Sequence, residues 1–480
     1  MHMALHPAPD DPDTTTDSTG GKRWHWWLLL LLVGVSALAI RYYYVTHAQV
    51  FQPVNQPNVR ADAVEYYNYA LNLVRHGVFS KAPEGTAPLT GDSFRDPGYP
   101  VFLAAWMKVF PQWDSWYAAM LLSQALLGAL TVMFMLAVAR RWMPLGWLAV
   151  AGMLMAVWPH SVAMSSYLLS ETLFGFLAAL ALLFLRMATD RQRAGWAAAS
   201  GICFSLAALT NAVLIPFAPL LAVYLLMRKK ASRLVCASLA IAALAAIAPW
   251  TTRNSFLPAT AESGDTSSSG RALLNFVQGS WPDMHSAYQA SMKHDPDGIL
   301  IMSAITREST VMEQSPRAGL ALVWHRMANR PGHYLWWYLG KPALLWDWDI
   351  RIGQGDVYVY PTRNSPFKTD AAFRALAALC RTLNPWLFVF AAAGCLLMLL
   401  PRQRTSPDRV ATMLMLVFVT TVYSVLQAEP RYSVPFRGPE IVVATFVAYR
   451  LSQSIRQMRR LGTAPADAPL RPPRRVNAKP

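Results

Sequence analysis

The sequence predicts an all-α polytopic membrane protein, with about ten transmembrane helices and interfacial amphipathic helices in two long outer loops. Of its 480 residues, 54% are hydrophobic and only 15% are charged, whereas soluble proteins are usually about one quarter charged. Long apolar segments recur along the chain, and basic residues collect after every second segment. Together these observations indicate that lipid surrounds most of the folded chain.

The first apolar segment is predicted to be a retained signal-anchor. Residues 1–23 are polar and rich in Asp, Thr and Pro, which predicts a disordered cytoplasmic tail. The apolar run over 26–45 is long enough to cross a hydrocarbon core of about 30 Å. Arg41 and a row of tyrosines follow it in place of a small-residue cleavage site, so we expect the run to remain in the chain.

Further apolar segments continue through a membrane domain that we place at 24–457. The pair 194–209 and 212–227 is short for crossing a bilayer, and Thr210 and Asn211 form its predicted turn. The remaining predicted spans are 115–139, 146–164, 167–186, 234–252, 383–400, 410–427 and 439–457.

The positive charge gives the chain a predicted orientation. The net charge is +16, and the excess of Lys and Arg lies in the short loops after every second span and in the basic tail 458–480. By the positive-inside rule both termini are cytoplasmic, and we expect the membrane to be a bacterial inner membrane. A surplus confined to these loops and tails predicts no nucleic-acid partner.

Two long segments, 46–114 and 253–382, then lie on the outer side. Each contains a short apolar piece, 99–110 or 333–348, which we assign to the membrane interface. The charge rule excludes a topology in which only one of these pieces crosses the bilayer, because every later loop would then change sides. It does not exclude a topology in which both cross, because the tails would still be inside. The tryptophans expected at this interface are Trp336, Trp337, Trp346 and Trp348.

The first outer loop is predicted to open with an amphipathic helix that starts near Asp62 and ends at Gly77. Its apolar residues follow the i, i+3, i+4, i+7 pattern, and glycine is a common helix stop. Asp62 and Glu65, one turn apart beside Tyr66, are expected to face water near its start. They are candidate catalytic acids; the alternative is a solvated acidic first turn that the helix dipole favours.

Glu171 is a third candidate acid, because it falls about 6 Å inside the outer end of the span 167–186. A carboxylate within a membrane span is a functional-site hypothesis by default. The alternative is a glutamate whose side chain reaches back to the interface.

Outer-side arginines are candidate phosphate ligands, because the planar guanidinium group donates two parallel hydrogen bonds. Arg95 precedes a Pro-Gly turn, Arg253 ends the span 234–252, and Arg431 precedes the last span. The alternatives are lipid-headgroup contacts and, for Arg95 with Asp96, an ordinary ion pair in a turn. Asp96, Asn254 and Tyr432, which flank these arginines, and Tyr66, which follows Glu65, are further candidates.

The sequence contains no motif that we interpret as a metal site. The cysteines Cys203, Cys236, Cys380 and Cys395 lack metal-ligand spacing and are read as buried apolar residues. The pair Asp347 and Asp349 imitates the DxD motif of nucleotide-sugar enzymes, but a nucleotide sugar would be in the other compartment. No cofactor is predicted, and a requirement for a divalent metal is left open.

Several short motifs, in this order, resemble the GT-C superfamily of glycosyltransferases. They are Asp62-Ala-Val-Glu-Tyr66, Arg95-Asp-Pro-Gly-Tyr-Pro-Val-Phe-Leu103, Ser170-Glu-Thr-Leu-Phe174, Pro249-Trp-Thr-Thr-Arg-Asn254 and Glu429-Pro-Arg-Tyr432. The branch with the closest resemblance contains protein O-mannosyltransferases and lipid A aminoarabinose transferases (family 39-type). The resemblance implies a polyprenyl-phosphate-sugar donor, inversion at the anomeric carbon and a catalytic acid at Asp62. Many members have a second acid directly after the first, where this chain has Ala63.

We therefore expect a membrane glycosyltransferase that moves a sugar from a polyprenyl-phosphate donor to a lipid, glycan or protein acceptor at the non-cytoplasmic face. In this hypothesis Asp62 is the base, while Arg95, Arg253 and Arg431 hold the phosphate. One alternative is a lipid-linked oligosaccharide ligase or polymerase. The other is a lipid or sugar transporter, which would place ionisable groups near the bilayer midplane.

Overall fold

The computed structural model describes residues 21–55, 61–257, 268–398 and 405–462, and within these ranges α-helix is by far the main secondary structure. This confirms the predicted all-α polytopic fold class. Most of the predicted terminal tails, 1–20 and 463–480, lies outside the described residues.

The helices follow the chain from the first span to the last. They are α1 Gly21–His47, α2 Asp62–His76, α3 Gly98–Val109, α4 Trp113–Ala139, α5 Leu145–Val157, α6 Pro159–Ala163, α7 Glu171–Arg191, α8 Ala194–Thr210, α9 Phe217–Met227, α10 Arg233–Ser255, α11 Ser268–Gly279, α12 Met284–Ser291, α13 Pro296–Gln314, α14 Pro316–Ala328, α15 Pro331–Leu345, α16 Pro366–Thr369, α17 Ala371–Met398, α18 Pro407–Val425, α19 Pro430–Ser433 and α20 Arg437–Gly462. Two short strands, β1 Gln49–Val50 and β2 Thr362–Arg363, pair antiparallel and join the two outer loops.

Helices long and apolar enough to cross a membrane make this an integral membrane protein. Among the described residues six helices pass on length and composition, namely α1, α4, α7, α10, α17 and α18, and the bent pair α5–α6 raises the number to seven. The predicted number was about ten. Each remaining predicted span is also a helix, but α8 and α9 are short and α20 becomes polar in its second half.

The predicted span 146–164 is not one straight helix. Helices α5 and α6 meet at an angle of 49°. Pro159 begins α6, and the preceding Trp158 is extended, with φ −60° and ψ 113°. Proline has no backbone N–H to donate and disfavours helical geometry in the residue before it, which accounts for the break.

Small residues let the central helices pack closely. Helix α8 lies between α7 and α10. A Cβ atom added to Gly201 of α8 would lie 2.4 Å from the carbonyl oxygen of Leu239 in α10, so the two backbones are in contact there. Cys203, Cys236 and Cys380 are buried free thiols and Cys395 is half-buried, as expected for apolar packing.

The predicted helix of the first outer loop is confirmed as α2. Gly77 ends it in the left-handed conformation, with φ 67°, and its N–H donates to the carbonyl of Leu73. The second outer loop has a small apolar core of its own. That core contains Val277, Met284, Ile305, Met312 and Val323.

The expected interfacial tryptophans divide into two groups. Trp336 is 74% exposed, as a residue at the interface should be. Trp346 and Trp348 are instead buried, which corrects the prediction for both. The ring of Trp348 packs against that of His160, and its carbonyl lies 2.7 Å from the His160 Nε2 atom. The second outer loop thus reaches into the helix bundle at this point.

Candidate active site

The candidate site forms where α2 meets the ends of the membrane helices that face the two long loops. Helix α2 begins at Asp62, directly after the extended residue Ala61, so Asp62 and Glu65 lie one turn apart on one face. Tyr69, in the next turn, accepts a hydrogen bond from the backbone N–H of Arg95. Helix α2 therefore fixes two of the candidate acids and the backbone of the first candidate arginine.

Five candidate side chains form one continuous chain of ion pairs. Arg95 contacts both Glu65 and Asp62, and its Nη2 atom lies 2.5 Å from Asp62 Oδ1. The other Asp62 oxygen lies 2.7 Å from Nη2 of Arg431. The Nε atom of Arg431 in turn contacts Glu171. Residues that are hundreds of positions apart in the sequence thus meet around the carboxylate of Asp62.

Asp62 and its two arginine partners stabilise one another in their charged forms. Burial raises the pKa of Asp62, but Arg95 and Arg431 outweigh burial and hold that pKa below its ordinary value. Burial alone would lower the pKa of the Arg95 and Arg431 guanidinium groups. The neighbouring carboxylates have the larger effect, so both pKa values are raised. The site therefore keeps an ionised carboxylate between two cations at neutral pH.

The expectation that Asp62 and Glu65 face water is wrong in part. Their side chains are 29% and 20% exposed, because the start of α2 packs beneath Arg95 and Arg431. Along the chain of ion pairs exposure falls to 8% at Glu171. Asp62 is the most exposed of these five side chains, so it is the one most accessible to solvent.

Glu171 occupies a different local position from the predicted one. Helix α7 begins at Glu171, since residues 167–170 are not α-helical. The carboxylate therefore lies in the first turn of a 21-residue helix, where the helix dipole stabilises negative charge. The prediction that Glu171 lies four residues inside a span is corrected accordingly.

Aromatic side chains surround the ion pairs. The hydroxyl of Tyr66 donates to Ser170, and the guanidinium group of Arg95 lies 5.3 Å from the centre of the Tyr66 ring. Burial raises the pKa of Tyr66 above its ordinary value, so this hydroxyl stays protonated. Tyr360, from the second outer loop, accepts a hydrogen bond from the backbone N–H of Ala63.

Arg253 lies outside this chain of ion pairs. Its guanidinium group donates to the carbonyl of Asp92 at 2.6 Å and to the side chain of Asn254 at 3.0 Å. It also lies 4.9 Å from the centre of the Trp250 ring. In the described structure Arg253 thus anchors the first outer loop, and its contact with a phosphate stays a prediction.

A second basic group surrounds Phe94. Lys81 Nζ lies 4.3 Å from the ring centre, and the guanidinium carbons of Arg95 and Arg271 lie at 5.3 and 5.9 Å. Arg271, in α11, also pairs with Asp96 at 2.6 Å. We refer to Lys81, Arg95 and Arg271 as the Phe94 cations. Sequence reasoning missed Arg271, although it meets the same criterion of an outer-side arginine, because the fold of its loop could not be read.

Glu429 connects the second outer loop with the segment that carries Arg431. One of its oxygens accepts the backbone N–H groups of Arg351 and Ile352 at 2.8 and 3.2 Å. The other lies 2.9 Å from Nε2 of His285. The carboxylate two residues before Arg431 is therefore held from two separate parts of that loop.

Tyr432 also stabilises this corner. Its ring stacks on that of Tyr423 in α18, with centres 5.1 Å apart, and its hydroxyl donates to Gln427. Among the described residues no group of three or more His, Cys, Asp or Glu side chains is arranged to hold a metal ion.

Comparisons with known proteins identify only distant structural neighbours. No family model and no curated protein sequence matches the chain. The Archaeoglobus fulgidus oligosaccharyltransferase tethered with an acceptor peptide is 14% identical, with a TM-score of 0.49 over 92% of this chain and 51% of its own. AglB from the same organism, in complex with an inhibitory peptide and a dolichol-phosphate, is 16% identical, with a TM-score of 0.49 over 94% and 53%.

ArnT from Cupriavidus metallidurans bound to undecaprenyl phosphate is 15% identical, with a TM-score of 0.36 over 93% of this chain and 82% of its own. The chain spans about half the length of the archaeal oligosaccharyltransferases.

Proposed function

We propose that this protein is a membrane glycosyltransferase, which moves a sugar from a polyprenyl-phosphate donor to a lipid, glycan or protein acceptor. The observation that carries the proposal is the carboxylate of Asp62, partly exposed and held between Arg95 and Arg431. Sugar transfer from a phosphate needs a base for the acceptor and cations for the leaving group. In this site the base, Asp62, and the cations, Arg95 and Arg431, belong to one continuous chain of ion pairs.

The reaction is a single displacement that inverts the anomeric carbon. Asp62 accepts the proton of an acceptor hydroxyl as that oxygen bonds to the anomeric carbon. The bond between that carbon and the phosphate oxygen breaks, and the polyprenyl phosphate leaves with the electron pair. Glu171, beside Arg431, orients a hydroxyl group of one substrate.

A carboxylate paired with two arginines is a weak base, so the donor has a second role. The donor phosphate competes with Asp62 for the guanidinium groups of Arg95 and Arg431. As these cations turn to the phosphate, the Asp62 carboxylate loses the charges that hold its pKa down. Donor binding in this way strengthens the base just before it is needed.

The Phe94 cations supply further positive charge beside Asp62. Arg95 belongs both to this group and to the chain of ion pairs, so the two sets of cations are continuous. We infer that the phosphate lies between Arg95 and Arg271, where both guanidinium groups can donate to it. Arg253 stabilises the same loop through hydrogen bonds to the backbone carbonyls of Asp92 and Phe79.

The site lies on the extracytoplasmic face of a bacterial inner membrane, with both termini in the cytoplasm, in this proposal. The support is the confinement of surplus Lys and Arg to the other side of the spans. A transporter is disfavoured, because the five ion-paired side chains lie in outer loops and at helix ends and not at the bilayer midplane.

The test compares the surface glycolipids and glycoproteins of cells with the wild-type protein and of cells with Asp62→Asn. Mass spectrometry is expected to show products that lack one sugar residue in the variant strain. Loss of a preassembled glycan, together with accumulation of its lipid-linked form, would favour the ligase. Identical envelopes at equal protein levels would exclude the proposed transfer in those cells.

A further inference from the structure

A cavity of about 50 Å³ lies behind the chain of ion pairs, among α1, α4, α5, α6, α7 and α20, and apolar side chains such as Met155 and Ile441 form part of its wall. Arg41, Glu171 and Arg437 line it, together with Gly128 and hydroxyl-bearing residues. Glu171 belongs to both sites, since one of its oxygens contacts Arg431. The cavity is thus separated from the active site by a single carboxylate.

Arg41 brings a charge into this cavity without an ion-pair partner among the described residues. Only 1% of its surface is exposed. Its Nη1 atom donates to the carbonyls of Ala37 and Ala156, and its Nε atom has no hydrogen-bond partner. Arginine does not deprotonate in proteins, and a buried charge without a counter-charge is strongly destabilising.

Two more polar atoms around the cavity lack partners. Arg437 is paired with Glu440, but its Nε atom has no hydrogen-bond partner although the residue is only 1% exposed. The Oε2 atom of Glu171 is likewise buried and without a partner. The cavity therefore offers two N–H donors, on two cations, and one carboxylate acceptor.

We propose that this cavity binds a phosphate group that carries an O–H, which inorganic phosphate has at neutral pH and a phosphate monoester has as its monoanion. The negative oxygens accept hydrogen bonds from Arg41 and Arg437, and the O–H donates to Glu171. Halide and sulfate ions satisfy the arginines but have no proton to donate to the carboxylate, which repels them. Water fills the space without supplying charge for Arg41.

Size and local backbone agree with this ligand. The cavity volume of about 50 Å³ is several times the minimum of about 10–15 Å³ for one water molecule, so there is room for more than one polar group. Thr172 and Gly175, from the first turns of α7, also line it. The N-terminus of this 21-residue helix adds a favourable dipole for an anion.

Gly128 offers a way to alter the cavity without removing a charge. A Cβ atom at this position would lie 2.5 Å from the Nε atom of Arg41. Gly128→Ala therefore displaces the guanidinium group that faces the ligand. Gly146→Ala, in α5, is the matched control because an added Cβ there meets nothing within 4 Å.

The experiment measures binding of radiolabelled inorganic phosphate to the full chain in detergent. Binding at one site is expected, with at least about tenfold weaker binding of sulfate, since one lost hydrogen bond to a charged group is worth about 1.5–3 kcal/mol. Arg41→Gln and Gly128→Ala are expected to lose this binding, while Gly146→Ala retains it. If Arg41→Gln does not fold, the result still follows from Gly128→Ala, which is expected to lose the binding, and from Arg271→Gln, which is expected to retain it.

A second arm identifies the source of the phosphate. In nanodiscs, phosphatidic acid carries a phosphate monoester, whereas phosphatidylglycerol carries a diester without an O–H. If phosphatidic acid raises the Tm and phosphatidylglycerol and inorganic phosphate do not, and if Gly128→Ala loses this effect, the site binds a lipid headgroup. If inorganic phosphate raises the Tm, the site binds the free ion.

Two outcomes overturn the proposal. The first is the absence of any response to inorganic phosphate and to phosphatidic acid. The second is phosphate binding that survives Gly128→Ala but is lost in Arg271→Gln, because that binding belongs to the active site. Neither outcome contradicts sugar transfer, which is measured separately; the second outcome would support phosphate binding at the active site.

Discussion

The carboxylate of Asp62 bridges two arginines that come from opposite ends of the chain, with N–O distances of 2.5 Å to Arg95 and 2.7 Å to Arg431. One arginine belongs to the first outer loop and the other to the turn before the last helix. The geometry of the site therefore depends on the whole fold, and each partner in this bridge is expected to affect transfer in its own way.

Replacing Asp62 by Asn is expected to lower the rate of sugar transfer by about 100- to 10,000-fold, the usual effect of losing a general base. The amide is close in size but cannot accept the proton of the acceptor. Transfer is measured in membrane vesicles at matched protein levels. The control is Asp114→Asn, an exposed acid at the start of α4 in the same outer loop. Wild-type turnover by Asp62→Asn would remove Asp62 from the mechanism.

Arg431→Lys is expected to reduce kcat by up to about 100-fold, the scale of a misplacement near 1 Å. Lysine keeps the charge, but a single ammonium group cannot reproduce the planar bridge from Asp62 to Glu171. The steady-state constants of the two proteins are compared in vesicles. Arg363→Lys is the control, since that exposed arginine stacks on Phe51. A variant with unchanged kcat and a raised KM would assign Arg431 to ground-state binding only.

The outward orientation of the site is tested by labelling Asp114→Cys in intact cells with a membrane-impermeant thiol reagent. The native cysteines are buried or half-buried, so the introduced thiol is expected to supply the signal. Labelling from outside is expected, because Asp114 follows the first outer loop in the predicted topology. A thiol that reacts only after the membrane is permeabilised would place Asp62 in the cytoplasm and contradict the proposed function.

Local patterns predicted the helices well. The apolar spacing after Asp62 and the stop at Gly77 gave α2, and each apolar run that was long enough to cross the membrane became a helix. These signals depend on neighbours within a few residues. The break at Trp158–Pro159 was missed, although the proline that causes it is visible in the sequence.

Long-range relationships could not be read in this way. Asp62, Glu171 and Arg431 were each candidates, but nothing in the sequence showed that Arg431 contacts both carboxylates. The burial of Trp348 against His160 depends on how the second outer loop enters the bundle. Periodicity describes which face of a helix is apolar, and it does not say which distant side chain covers that face.

Lys341 is expected to make stability depend on pH. It is fully buried in α15, where its Nζ atom donates to the carbonyls of Gly279 and Leu426. Burial lowers the pKa of Lys341 to about 7. Since the unfolded chain has the ordinary pKa of about 10.4, it binds more protons than the folded chain between these values. Stability therefore rises with pH above about 7, by at most about 1.4 kcal/mol per pH unit from this group.

The measurement is the apparent Tm in detergent, followed by tryptophan fluorescence from pH 6 to pH 9. Lys341→Met is expected to flatten the rise seen in the wild type, because a thioether does not titrate. Lys293→Met, which replaces an exposed lysine in the same loop, serves as a comparison. An unchanged pH profile in Lys341→Met would mean that another group is responsible for the dependence.

Gly98→Ala is expected to destabilise the protein by about 1–3 kcal/mol, the usual range for overpacking. A Cβ atom on Gly98, the first residue of α3, would lie 2.4 Å from the Thr210 hydroxyl and 2.9 Å from the Leu209 carbonyl at the end of α8. The backbone at Leu209 cannot move aside easily, so α3 must shift. Arg95 lies three residues before Gly98 and is expected to shift with α3. Gly195→Ala in α8, where an added Cβ meets nothing within 4 Å, is expected to be neutral or stabilising because alanine favours helix. A lower Tm and weaker sugar transfer are therefore expected for Gly98→Ala alone, and equal values for the two variants would show that α3 does not position Arg95.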